Sequence, residues 1–230
     1  MEKISVSRFI ANEFQLSEAM KALRTNLIFS GSNIKAIGLT SFNASEGKST
    51  ISFQLAASFA QAGKKVLLID ADLRKSVLVN RLRIRGAKDG LSHFLSGQAN
   101  ANKLINETDI PNLYIMFAGT RVPNASELLS NENMEKLITA LKDIFDYVIV
   151  DTPPIGQVID CAVIAGKLDG VLMVIDTTSN SYKLERRVKQ QLEMADAKIL
   201  GVVLNRVDIQ DKNGYYSKTY GYGYGENEQN

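Results

Sequence analysis

The segment over residues 40–50 reads Thr40-Ser41-Phe42-Asn43-Ala44-Ser45-Glu46-Gly47-Lys48-Ser49-Thr50. The apolar run Ala36-Ile37-Gly38-Leu39 enters it, and a helix-like run from Ile51 to Ala62 leaves it. Its end, Gly-Lys-Ser-Thr, is the second half of the phosphate-binding pattern G-x-x-x-x-G-K-[ST]. Each residue type has a chemical reason. Gly47 lets the backbone approach a phosphate because no Cβ stands in the way. Lys48 can reach β- and γ-phosphates, and the Ser49 hydroxyl can ligate Mg²⁺. The helix that follows offers unpaired N–H groups and a positive dipole end to an anion. The first glycine of the pattern would fall on Phe42, so the loop is only half matched. A glycine turn ahead of an ordinary helix is the competing reading, and the rest of the chain decides.

Beyond this loop the chain alternates. Apolar, β-branched runs occur at 36–40, 65–70, 112–117, 147–151, 171–176 and 199–204. Helix-like runs lie at 49–62, 126–145, 158–167 and 181–195, with a shorter one near 91–96. Strands alternating with helices indicate an α/β fold, a doubly wound and mainly parallel sheet with helices on both faces. Ligands of such sheets bind beyond the carboxyl ends of the strands, so the residues that end the runs carry the information. Ahead of the loop, residues 1–16 read as an N-terminal arm, loosely structured over 1–13. Ser17 is the expected N-cap of a helix over 17–30, with Met20, Leu23 and Leu27 as its apolar stripe. Glu18, Lys21 and Arg24 lie on one flank, which by itself reads as a solvated face. The basic stretch Ser76 to Lys88, with Arg81, Arg83 and Arg85, reads as a solvated excursion. The domain proper is expected over 17–207, followed by a flexible tail over 208–230 that holds Tyr215, Tyr216, Tyr220, Tyr222 and Tyr224.

Composition narrows the partners. A chain of 230 residues with 45% hydrophobic and 23% charged residues is that of one ordinary globular domain with a substantial core. A net charge of +2 gives no field that points to nucleic acid. The single Cys161 rules out an intramolecular disulfide and reads as a small buried residue of an apolar helix. Met1 to Leu16 lacks the apolar core of a signal peptide, and no run of about 18 apolar residues occurs, so any membrane association is expected through a partner.

Two of the apolar runs end in acids. One reads Val66-Leu67-Leu68-Ile69-Asp70-Ala71-Asp72-Leu73-Arg74, the other Val148-Ile149-Val150-Asp151-Thr152-Pro153-Pro154. Hydrophobic residues followed by Asp151 make the pattern whose carboxylate holds Mg²⁺ through its water shell, opposite Ser49. Asp70 and Asp72 are two apart, so on an extended strand end they point to the same side. Two acids beside a metal and a γ-phosphate can supply one ligand or orienting group and one base for an attacking hydroxyl. Each acid alone could be a turn former. Three acids at two strand ends, together with Gly-Lys-Ser-Thr after a third, form a constellation.

The ordered combination resembles the bacterial tyrosine kinases, the P-loop kinases tied to capsular and exopolysaccharide synthesis. It is similar in particular to the cytoplasmic CapB/CpsD-type subunits of Gram-positive bacteria, from about Glu18 to the end. The Ile69-Asp70-Ala71-Asp72-Leu73-Arg74 segment resembles the family's Walker A′, and Asn124-Ala125-Ser126-Glu127-Leu128-Leu129 its N-P-S-E-L-L. The tyrosine-rich tail resembles its autophosphorylation cluster. The resemblance implies ATP and Mg²⁺ as cofactors, with nucleotide held by Ala44, Ser45, Glu46, Gly47, Lys48, Ser49 and Thr50. Asn205 sits where related P-loop ATPases contact adenine. It implies Lys48, Asp70 and Asp72 as catalytic residues, with Ser49, Asp151 and Asp72 at the metal. Asp70 is the candidate base, though the division of roles between Asp70 and Asp72 stays open. The family's E-x-x-R-x-x-R helix, used in ring-shaped self-association, appears here as Glu18, Lys21 and Arg24, with Lys where the first Arg stands. A homo-oligomer, a transmembrane CapA-like adaptor and a cognate tyrosine phosphatase are the implied partners. The implied location is cytoplasmic, at the inner face of the plasma membrane through the adaptor.

Ser45 departs from the family, carrying a Cβ where glycine is usual. Three readings remain: an ATP-dependent protein-tyrosine kinase that modifies its own tail between subunits and regulates polysaccharide synthesis or export, an ATPase resembling ParA or MinD, and a nucleotide-binding regulatory subunit. The second class carries a lysine five residues before the loop lysine, where this chain has Asn43.

Overall fold

The computed structural model describes residues 3–10, 13–84, 89–178 and 182–207. The expected tail with Tyr215, Tyr216, Tyr220, Tyr222 and Tyr224 lies outside the described residues. Seven strands form one sheet in the order β3-β4-β2-β5-β1-β6-β7. They are β1 (Ala36–Ser41), β2 (Val66–Asp70), β3 (Ile105–Glu107), β4 (Leu113–Met116), β5 (Tyr147–Asp151), β6 (Gly170–Asp176) and β7 (Ile199–Asn205). All neighbours pair in parallel except β3, which runs antiparallel to β4 at one edge. The helices are α1 (Phe14–Phe29), α2 (Lys48–Gln61), α3 (Leu78–Arg81), α4 (Leu91–Leu95), α5 (Ala125–Ser130), α6 (Glu132–Ile144), α7 (Asp160–Ala165) and α8 (Tyr182–Met194).

The strand side chains sort by a period of two. Ile37, Leu39, Val66, Leu68 and Ile149 enter the core beneath α1 and α2. Ala36, Leu67, Ile69, Val148 and Val150 enter the core beneath α4, α5 and α6. Each such Val, Leu or Ile side chain contributes on the order of 2 kcal/mol by leaving water. Both faces are covered, which is why the runs read as continuously apolar. α2 is buried on almost every side, and Ala56, Ala57, Ser58 and Ala60 keep it thin enough to lie between the sheet and α1.

Several expectations are corrected. Ser17 is not an N-cap: α1 begins one turn earlier, Ser17 N–H bonds the Glu13 carbonyl at 3.0 Å, and Leu16 packs against the core. The arm expected over 1–16 therefore gives up its last three residues to the helix. Its earlier part is tied down as well. Ile4 bridges to Thr108, Val6 is fully buried, and Asp109 accepts the backbone N–H groups of Val6 and Ser7 at 2.7 and 2.9 Å. The single helix expected over 126–145 is two, because Asn131 leaves helical backbone (ψ 148°) and its side chain caps the second at Asn133 N–H, 3.0 Å away. The basic stretch after Ser76 holds α3, whose Leu78, with Leu82 just beyond it, is buried.

Candidate active site

The parallel strands deliver β1, β2 and β5 to one carboxyl edge, and the expected acids meet there. Asp70 and Asp151 end neighbouring strands as register partners, and both are buried. The loop after β1 lies alongside. Lys48 Nζ donates to Asp151 Oδ1 at 2.6 Å, and the Ser52 hydroxyl donates to the same oxygen at 2.9 Å. Ser49 Oγ lies 3.2 Å from Lys48 Nζ. The structure thus brings Lys48, Ser49, Asp70 and Asp151 together as the sequence predicts. Lys48 begins α2 directly after Gly47, whose φ of 90° is left-handed backbone that suits glycine.

Electrostatics single out Asp70. Burial and the adjacent Asp151 charge push its carboxyl up to about 7, against the opposing pull of the Ser76 hydroxyl that donates to Oδ2, of Lys48 and of the Asp72 N–H. Asp72 behaves differently from expectation. β2 ends at Asp70, and the Asp72 carboxylate accepts the Lys75 and Arg74 N–H groups at 2.8 and 3.3 Å. Asp72 therefore caps a turn instead of extending the strand in step with Asp70.

The loop is braced from within and from β7. Buried Glu46 accepts the Phe42 N–H at 3.0 Å, so its side chain holds the loop's own entrance. Phe42 stands where the loop pattern has glycine. It packs against the backbone after Pro154, where a Cβ on Gly156 would come within 2.7 Å of its ring. Ser45 has φ 68°, the left-handed conformation that a glycine would adopt without strain. Asn205 lies against Gly47 and donates to the Glu46 carbonyl at 2.9 Å. Ala44 and Thr50 flank these residues in the same loop and first helical turn. Cys161 is buried in α7 as expected, with burial pushing its thiol up.

Four partners escaped the sequence reading. Ser52 is one helical turn beyond Ser49, a spacing that could have revealed it. Ser76 and Asp176 carry no local signal. Arg206 follows Asn205 directly, a position that could have revealed it. A wider clamp was also missed. Arg74 forms a forked pair with fully buried Asp160 at 2.6 and 3.1 Å, and Ser126 donates to Asp160 at 2.5 Å. Of the α1 residues, Lys21 pairs with Glu18 at 2.7 Å on an exposed face. Arg24 instead turns onto α2 and donates to the Ser58 carbonyl at 2.6 Å.

The residues present fit Mg²⁺ with a nucleotide. Two buried acids face one lysine, which leaves a negative surplus that a divalent cation offsets. Among the described residues no three His, Cys, Asp or Glu side chains form a metal cage. Mg²⁺ is held by one or two carboxylates together with substrate phosphates, and Asp70 and Asp151 at neighbouring strand ends supply that number.

A family described as AAA domain matches residues 34–199. The chain is 44% identical over 191 residues to the tyrosine-protein kinase CpsD of Streptococcus agalactiae serotype III (strain NEM316), covering 83% of this chain and 82% of that one. Its fold overlays the crystal structure of the chimerical protein CapA2B2 with a TM-score of 0.81 at 32% identity, covering 90% of this chain and 95% of that one. The kinase domain of the Escherichia coli tyrosine kinase ETK gives a TM-score of 0.81 at 36% identity, over 90% of this chain and 81% of that one. With this site on this sheet, and with relatives of that identity over most of its length, the chain belongs to the bacterial tyrosine-protein kinases of the CpsD type.

Proposed function

We propose that the chain transfers the γ-phosphoryl group of ATP to tyrosines of its own tail, Tyr215, Tyr216, Tyr220, Tyr222 and Tyr224, between subunits, and so regulates the synthesis or export of a capsular polysaccharide or exopolysaccharide. The observation that carries this reading is the 2.6 Å contact of Lys48 with Asp151, beside Asp70 on the next strand. Lys48 is thereby tethered within reach of the β- and γ-phosphates, and leaves Asp151 as they arrive. Ser49 and Asp151 would hold Mg²⁺, and the cation would supply charge neutralisation for the transferred group. Asp70 accepts the proton of the tyrosine hydroxyl as its oxygen bonds to phosphorus and the bond to the β-phosphate oxygen breaks. A base poised near neutrality suits that transfer. Asp72 keeps the Asp70 segment turned and stands as the assisting acid.

Ala44 to Thr50 form the phosphate cradle. Glu18 and Lys21 belong to the face through which copies associate, in a ring if the geometry closes, while Arg24, the third residue of that motif, anchors the helix to α2. A CapA-like transmembrane adaptor would bring the kinase to the inner face of the plasma membrane. No helix among the described residues is long and apolar enough to cross a bilayer. A phosphatase would reset the tail. Asn43, in the place of a second loop lysine, separates the chain from ParA- and MinD-like ATPases.

The test is incubation with Mg²⁺-ATP and an adaptor segment, followed by mass spectrometry. Phosphotyrosine within Tyr215–Tyr224 that vanishes in Lys48→Met supports the proposal. Phosphate release without phosphotyrosine would mark an ATPase, and nucleotide binding with neither product a regulatory subunit. Mixing Lys48→Met chains with active chains tests transfer between subunits, since only transfer from a neighbour labels the inactive chain.

A further inference from the structure

Two side chains at the end of β7 hold the phosphate loop by its carbonyls. Asn205 Nδ2 donates to the Glu46 carbonyl and Arg206 Nη2 to the Ser45 carbonyl, each at 2.9 Å. Arg206 is held in turn by Asp176 through Nη1. The other Asp176 oxygen accepts the Thr178 N–H and hydroxyl at 3.0 and 2.7 Å. Asp176 and Asn205 are register partners on β6 and β7. Left-handed backbone marks the contact on both sides, with φ of 59° at Arg206, 68° at Ser45 and 90° at Gly47. A Cβ at Gly47 would stand 2.1 Å from Asn205 Nδ2, so the two segments meet as closely as glycine allows.

Peptide geometry gives the consequence. A trans peptide is planar, with its C=O and N–H on opposite edges, and no peptide among the described residues is cis. With the Ser45 oxygen on Arg206, the Glu46 N–H points away from that side chain. With the Glu46 oxygen on Asn205, the Gly47 N–H does the same. Among the described residues the Gly47 N–H has no acceptor, while the turn over Ala44 and Ser45 leaves the Glu46 N–H only a weak one in the Asn43 carbonyl. Successive amides turned to one side form an anion-binding nest, and this one opens ahead of Lys48 and Ser49.

We infer that Asn205 and Arg206 are positioning residues that hold two loop peptides in the phosphate-binding orientation, with Asp176 fixing Arg206. This rests on the reading of the loop as a phosphate cradle. It gives Asn205 a task other than reading adenine. It also explains how serine is kept at position 45: the captured carbonyl holds a backbone conformation that its Cβ opposes.

The test compares the full chain with Asn205→Ala, Arg206→Met and Arg206→Lys. Two probes are used, Mg²⁺-ADP and base-free Mg²⁺-pyrophosphate, each by displacement of a fluorescent ADP analogue. Asn205→Ala and Arg206→Met are expected to weaken both probes by the same factor, about tenfold for a lost hydrogen bond to the loop. Arg206→Lys, which restores a donor without the fork, falls between. The unfolding temperature of the nucleotide-free chains falls by only a few degrees, so every variant stays folded at the assay temperature. Weakened ADP with unchanged pyrophosphate would overturn the inference, because it assigns the residues to the base. Unchanged affinity for both probes would overturn it too. A wild-type chain that binds neither probe removes the phosphate reading and this inference with it.

Discussion

At Asp70, burial and the Asp151 charge raise the folded-state pKa to about 7 from an ordinary 3.8. Between those values the folded chain binds more protons than the unfolded one, so this group's contribution to stability falls as pH rises and is lost above about 7. Asp70→Asn is therefore expected to flatten the decline in stability between pH 4 and pH 8. At pH 8 it stabilises the chain by up to roughly 4 kcal/mol while abolishing transfer. Urea unfolding of both chains across that range checks the sign, and an unchanged slope would remove Asp70 as its source. Ser45 carries a different strain. Its left-handed φ of 68° costs about 1 kcal/mol. Ser45→Gly relieves that and adds unfolded-state freedom, so a net gain below about 1 kcal/mol is expected by thermal unfolding.

At the scale of elements, most strands were legible because burial on both faces leaves apolar runs without polar alternation. β3 was not, since three half-exposed edge residues carry no pattern. The split at Asn131 hid within a helix-like run because one capping side chain, not a change of composition, makes the break. The site was legible where the chemistry sits on strand ends, as with Asp70 and Asp151. It was illegible where contacts join segments distant in sequence. The Arg74–Asp160–Ser126 clamp spans 86 residues between Arg74 and Asp160, and no local spacing foretells it. This clamp ties the segment after β2 to α5 and α7, and so fixes the turn that carries Asp72. Asp160→Ala is expected to lower stability by about 2 kcal/mol, because Arg74 keeps partial access to water. It should also reduce turnover more than nucleotide affinity, since the loop after β1 is untouched. Equal loss of both in steady-state kinetics and ADP binding would mean that the whole edge had moved.

In the whole molecule, α1 has two tasks that its sequence does not separate. Its inner side closes the core over α2, and Arg24 joins that side through Ser58. Its outer side leaves Phe14 and Phe29 78% and 82% exposed, next to the Lys21–Glu18 pair. A face with two exposed phenylalanines on one helix suits contact with another copy better than contact with water. The two basic residues should then part company. Arg24→Ala removes a charge-assisted bond and is expected to cost about 1 kcal/mol, seen as an unfolding temperature lower by roughly 2–4 °C. Lys21→Ala removes only an exposed pair worth a few tenths of a kcal/mol, so its unfolding temperature should stay at the wild-type value. Its sedimentation should shift towards the monomer if, as proposed, copies associate through the face on which that charge lies. Sedimentation velocity at matched concentration decides the matter. An unshifted Lys21→Ala profile, beside a wild type that does associate, would move the interface off this flank of α1.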